Sequence, residues 1–197
     1  MPTADPAPPA ARRSRKGPSV YQLKVTLRGI RPPIWRRLEI RSDLTLERLH
    51  NVLQVAMGWT DSHLHAFMAD GVEYGVPDPE WGTTVKNEAR VRLDQVLRAP
   101  KERLEYDYDF GDDWHHLVVL EKVLPFDPVR HRDPLVTRGR RACPPEDCGG
   151  VYGYYQMLGV VADPEHPDHE DMLEWVGEGF DPEAFDLEVT NLFLHGE

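Results

Sequence analysis

From Tyr21 the chain alternates apolar and polar positions, with Tyr21, Leu23, Val25 and Leu27 set against Gln22, Lys24, Thr26 and Arg28. A period of two places the two sets on opposite faces of a strand and predicts that one face is buried. Gly29 to Pro33 breaks the run. Ile34, Arg36, Leu38 and Ile40 then share one face and Trp35, Arg37 and Glu39 the other, which predicts an antiparallel partner for the first strand. Next the period lengthens: Leu46, Leu49, Leu53, Ala56 and Met57 recur at helical spacing between Thr45, a candidate N-cap, and Gly58, a candidate left-handed stop.

Alternation returns at Leu64, Ala66 and Met68, and Asp70-Gly71 suits a type I′ turn leading back through Val72 and Tyr74. Residues 75–90 are polar and turn-rich and predict a surface loop carrying Trp81. Val91 and Leu93 suggest a further strand, with a brief helical turn from Leu93 to Leu97. Tyr106, Tyr108 and Phe110 share a face opposite Asp107 and Asp109, Gly111-Asp112 turns the chain, and Trp114 to Val123 returns it. That return strand is apolar on both faces, so it is expected to be central or covered by a helix. The proline-rich stretch 125–149 reads as an irregular connection or a clasp over the core. Three C-terminal helices follow: Val151–Val161, one capped by Asp168, and one opened by Asp181-Pro182. The expected class is α+β, a mostly antiparallel sheet with one early packing helix and a C-terminal helical cover.

Composition narrows the setting. A chain of 197 residues with 40% hydrophobic and 29% charged residues suits one globular domain, placed at 20–197, after a disordered basic tail at 1–19. There is no apolar stretch long enough to cross a bilayer and no apolar region after the N-terminal arginines. With only two cysteines, these features predict a cytoplasmic protein in a reducing compartment. The net charge of −11 is unevenly spread. The tail is positive through Arg12, Arg13, Arg15 and Lys16, residues 20–141 are balanced, and residues 142–197 carry no Lys or Arg. An acidic last third repels a phosphate backbone and argues against general nucleic-acid binding. Strand arginines paired with that acidic third would explain the segregation.

Several long blocks resemble the plasmid pRiA4b ORF-3-like family, also labelled transposon passenger or TnpR-like. They are YQLKVTLRGIRPPIWRRLEI at 21–40, TLERLHNVLQVAMGWTDSHLHAF at 45–67, YDYDFGDDWHHLVVLEKV at 106–123, RACPPEDCGGVYGY at 141–154 and HPDHEDMLEWVGEGFDPEAFD at 166–186. The resemblance implies a compact α+β fold of largely unassigned function, sometimes carried on mobile elements, and brings no agreed catalytic residues. The chain has no serine- or tyrosine-recombinase constellation, phosphate loop, dinucleotide-binding glycines, G-x-S-x-G elbow or H-E-x-x-H helix.

Three groups of residues can carry chemistry. Asp109, Asp112, Trp114 and His116 around the 106–116 hairpin, with Trp59, His63 and His65 from the preceding segment, are expected to form a ligand-facing surface. Carboxylates and imidazoles suit a divalent metal, Zn²⁺, Mg²⁺ or Mn²⁺, so His63, His65, Asp109, Asp112 and His116 are the candidate ligands. Tight-turn chemistry and polar packing account for the same residues without a metal. Cys143 and Cys148, spaced C-x4-C, offer half of an alternative zinc site that His131, His166 or His169 would complete, or a structural loop. Arg12, Arg13, Arg15 and Lys16 in the tail, with Arg36 and Arg37 on the second strand, are the candidate nucleic-acid contacts. The favoured role is an interaction or accessory module with a protein partner; a metal-dependent hydrolase or nuclease-like enzyme and a nucleic-acid accessory protein are the alternatives.

Overall fold

The computed structural model describes residues 17–78, 85–177 and 179–196. The tail up to Lys16, and Trp81, lie outside them. The described residues form one eight-stranded sheet: β1 (Val20–Leu27), β2 (Trp35–Arg41), β3 (His65–Ala69), β4 (Val72–Gly75), β5 (Lys86–Asn87), β6 (Arg103–Tyr108), β7 (Trp114–Leu124) and β8 (Leu135–Arg140). The spatial order is β5-β4-β3-β6-β7-β1-β2-β8, antiparallel except where the short β5 runs parallel to β4. Helix α1 (Leu46–Met57) supplies the apolar stripe of Leu46, Leu49, Leu53 and Met57 to the core.

The periodicities explain these elements. Thr45 Oγ1 accepts from the Arg48 amide at 3.3 Å, and Gly58 stops the helix at φ +89° with its amide on Gln54 O. Leu23, Val25 and Leu27 of β1 are buried with Leu38 and Ile40 of β2. Asp70 and Gly71 both take positive φ, as the I′ turn requires. Strand β7 is central, between β6 and β1, and its inner face of Trp114, His116, Val118 and Leu120 is buried.

Four expectations change. Phe110 does not share the face of Tyr106 and Tyr108: Asp109 turns left-handed at φ +56°, the alternation ends, and Phe110 is exposed. Val91 is not in a strand, because Glu88–Arg90 winds as a 3₁₀ turn and Leu93–Val96 forms α2, burying Leu93 and Val96 at helical spacing. The 125–149 stretch contains β8, an edge strand in which Val136 is the one fully buried side chain, too few apolar positions to show a period. The C-terminal helices are α3 (Gly150–Ala162), α4 (His169–Val176) and α5 (Leu187–His195), the last capped by Asp186 rather than Asp181. Asp181 closes a single turn, and the chain beyond it is drawn out so that Phe185 lies 3.9 Å over the Arg36 guanidinium. Asn191 of α5 bonds both backbone groups of Val136, covering part of the β8 edge.

The charge pairing is also more local than expected. Arg37 is bidentate on Glu121, Arg41 on Asp43, and Arg28 meets Glu105; among the described residues, Arg141 with Glu183 is the arginine bridge that reaches the acidic third.

Candidate functional site

At one end of the sheet three segments converge. The β6–β7 loop is held by Asp109, whose Oδ1 accepts from the amides of Gly111 at 2.9 Å and Asp112 at 3.3 Å. The left-handed backbone that expels Phe110 leaves Asp109 nearly buried and directs its Oδ2 to within 3.6 Å of His63 Nε2. His63 belongs to the second segment, the connection from α1 to β3. The third is the clasp at 143–149, docked by residues the sequence does not mark as partners. Trp59 Nε1 donates to Pro144 O at 3.0 Å, Glu146 accepts from Tyr108 Oη and Thr60 Oγ1, each at 2.5 Å, and the Gly149 amide donates to Asp112 Oδ2 at 3.1 Å. Burial works against the Glu146 carboxylate, but the Thr60 and Tyr108 hydrogen bonds outweigh it and hold its pKa below the ordinary range.

Docking the clasp brings Asp147 Oδ1 to 3.1 Å from His63 Nε2, on the side opposite the protein interior, where Asp147 is 72% exposed. His63 Nε2 is itself buried and has no aligned hydrogen bond, although two carboxylate oxygens flank it. Ligand atoms of His63, Asp109 and Asp147 all lie within 4.8 Å of one another. Ligands about 2.1 Å from a shared cation stand about 3.0–3.4 Å apart, close to the two histidine-to-carboxylate separations. No signal in the sequence marks Asp147, because only the clasp geometry places it here.

A second cluster lies deeper. His65 Nε2 meets both oxygens of buried Glu88 at 3.0 Å, and its ring stacks on His50 at 3.5 Å and 6°. Tyr106 Oη accepts from Gln54 Nε2 at 2.9 Å, which directs its own proton to His50 Nδ1 at 2.8 Å; His50 Nε2–H then donates to Asp61 Oδ1 at 2.8 Å. Burial, then the neighbouring His65, lowers the His50 pKa, and burial raises that of Tyr106. His50, Asp61 and His65 have ligand atoms within metal-binding range. Their stacking argues against an ion, since imidazole lone pairs lie in the ring planes and two parallel planes 3.5 Å apart do not meet on one cation.

The expected surface is therefore divided. His63 and Asp109 come together, but His65 faces Glu88 and Asp112 holds the clasp amide. Trp59, Trp114 and His116 are core residues rather than a ligand-facing surface: the Trp59 ring stacks on Tyr108 and Trp114 and meets His116 edge-on. His116 donates Nδ1–H to Tyr106 O, and burial lowers its pKa to about 4. The cysteines do not form half a zinc site. Cys143 accepts from Arg36 beside Met57, whereas Cys148 lines a different cavity, and burial with the Asp112 charge raises its thiol to about 12. Arg36 has no donor directed at a phosphate, since it is buried on the carbonyls of Ala56, Trp35 and Arg140 and on Cys143 Sγ. Arg37 is committed to Glu121, and Arg12, Arg13, Arg15 and Lys16 lie outside the described residues.

Comparison with known proteins gives a consistent picture. Residues 19–189 match the model of the family described as plasmid pRiA4b ORF-3-like protein. The uncharacterised protein y4hQ of Sinorhizobium fredii is 42% identical over 160 residues, 81% of either chain. The crystal structure of a protein of unknown function from Methanosarcina mazei Go1 superimposes with a TM-score of 0.79 at 37% identity, covering 88% of this chain and 98% of that one.

Proposed function

The chain belongs to the plasmid pRiA4b ORF-3-like family, and from that premise we propose that it is a cation-dependent binding module, an accessory protein of plasmid or mobile-element gene sets. His63 Nε2, Asp109 Oδ2 and Asp147 Oδ1 hold a divalent cation between the sheet end and the clasp. The observation that carries this reading is the buried His63 Nε2, unaligned to any hydrogen bond and flanked by two carboxylates at 3.1 and 3.6 Å. An imidazole with two carboxylates favours Zn²⁺ or Mn²⁺ over Mg²⁺. The cation joins segments distant in sequence, and its open side, next to exposed Asp147, is where a partner's donor atom would add.

Elemental analysis of untagged protein purified without added metal, paired with melting in chelator, tests the reading. Near-stoichiometric zinc or manganese, lost together with thermal stability in His63→Gln, is the expected result. Metal-free protein that Zn²⁺, Mn²⁺ and Mg²⁺ all fail to stabilise overturns it.

The same open coordination side favours a second reading, metal-assisted hydrolysis, because a cation with three protein ligands and a free position can activate water. Hydrolysis of a simple phosphodiester by metal-loaded protein, abolished in His63→Gln, would distinguish an enzyme from a binding module.

A further inference from the structure

Between β3, β4 and the exposed Phe110 lies a cavity of about 450 Å³ that shares no lining residue with the His63 cluster. Its walls include Leu64, Val76 and Phe110, which are 72%, 68% and 57% exposed. Single apolar side chains in water are ordinary, but three around one concavity mark a binding surface, and the volume is that of a small-ligand site. Phe110 is present at the mouth because Asp109 breaks the strand alternation, so the backbone turn that builds the cation site also exposes this ring.

The polar lining is one-sided. Exposed Glu73 brings a carboxylate, and no Lys or Arg is among the described lining residues. His65 also lines the cavity, but its ring is turned away to the interior, on both oxygens of Glu88 and the stacked His50 ring. An anionic ligand would meet like charge here, whereas an apolar body with a cationic end meets complementary groups at both ends. We propose that this cavity binds a small apolar molecule carrying one protonated amine, its hydrocarbon part against Leu64, Val76 and Phe110 and its ammonium group toward Glu73. The site is independent of the cation reading.

Three probes of matched size separate the terms: 2-phenylethylamine, 2-phenylethanol and phenylacetate, titrated into the full chain by NMR. The amine is expected to bind saturably with Kd on the order of 1 mM, as suits a fragment of this size, and the alcohol about threefold more weakly, the worth of one exposed ion pair. Phenylacetate is expected not to bind. Phe110→Ala and Glu73→Gln, both at exposed positions, should melt like the parent yet weaken the amine, the first more strongly. His63→Gln should leave the amine affinity unchanged, which keeps failure here distinct from failure of the cation site. Equal binding of amine and alcohol, preference for the carboxylate, no saturable binding of the amine, or indifference to Phe110→Ala overturns the proposal.

Discussion

His63 and His65 are two residues apart, yet they occupy opposite kinds of environment. His65 begins β3, where the pairing with Tyr108 of β6 carries it against His50 and Glu88, and every contact of its ring is with the interior. His63 precedes the strand and meets groups from two loops, one of them solvent-facing Asp147. The sheet thus fixes one imidazole, and loop docking fixes the other. Interior pairs are expensive to break because a partner is left without water, whereas the rim groups can be resolvated. The rim is consequently the side whose groups can give up their contacts to water.

The largest expected effect lies in the interior. Glu88→Ala should lose about 3–5 kcal/mol in urea unfolding, the cost of removing one partner of a buried pair. The pH dependence should follow the buried histidines. His116 titrates near 6.5 when unfolded and near 4 in the fold, so the unfolded state binds its proton first as pH falls. Stability is complete above the unfolded value and decreases by about 3 kcal/mol as pH falls from 6.5 toward 4. His116→Gln should flatten that slope while costing stability at neutral pH. At the rim, a cation at about 100 times its Kd should add about 2.7 kcal/mol to the parent and nothing to His63→Gln, measured by melting with and without metal.

Gly153→Ala tests the docking of the clasp. A Cβ there would lie 1.9 Å from Cys148 O, so the backbone must shift, costing about 1–3 kcal/mol. Asp147 would be displaced with it, and the cation increment should disappear although no ligand is mutated. The smallest effect is Asp147→Asn without metal, which should cost less than about 1 kcal/mol, as exposed pairs do. A large loss there would erase the distinction between rim and interior.

What the sequence discloses follows the same division. Thr45, Gly58 and Asp70-Gly71 act on their own neighbours, and each does in the fold what its chemistry implies. Arg36 falls on the apolar face of β2 by simple alternation, yet its role depends on carbonyls and a thiol from elsewhere in the chain. His50 and Gln54 could have been noticed as polar residues one helical turn apart on the apolar face of α1, a spacing that suggests a shared buried partner. Glu88 and Asp147 carry no such local signal. Their positions depend on strand register and on the route of the clasp, and neither is written in any short window.

The strand order also has a consequence for the growing chain. β1 pairs on one side with β2, which follows at once, and on the other with β7, so that Val20 faces Leu124 and Leu27 faces His116. During synthesis the first hairpin therefore emerges early, with one edge open and Leu23, Val25 and Leu38 awaiting their cover. It must stay unsealed until residue 124 has left the ribosome, because closing that long loop has an entropic cost that only the completed seam repays. The interval is when the chain is most open to pairing with another copy of itself, and slowing translation across 42–113 should lower its soluble yield.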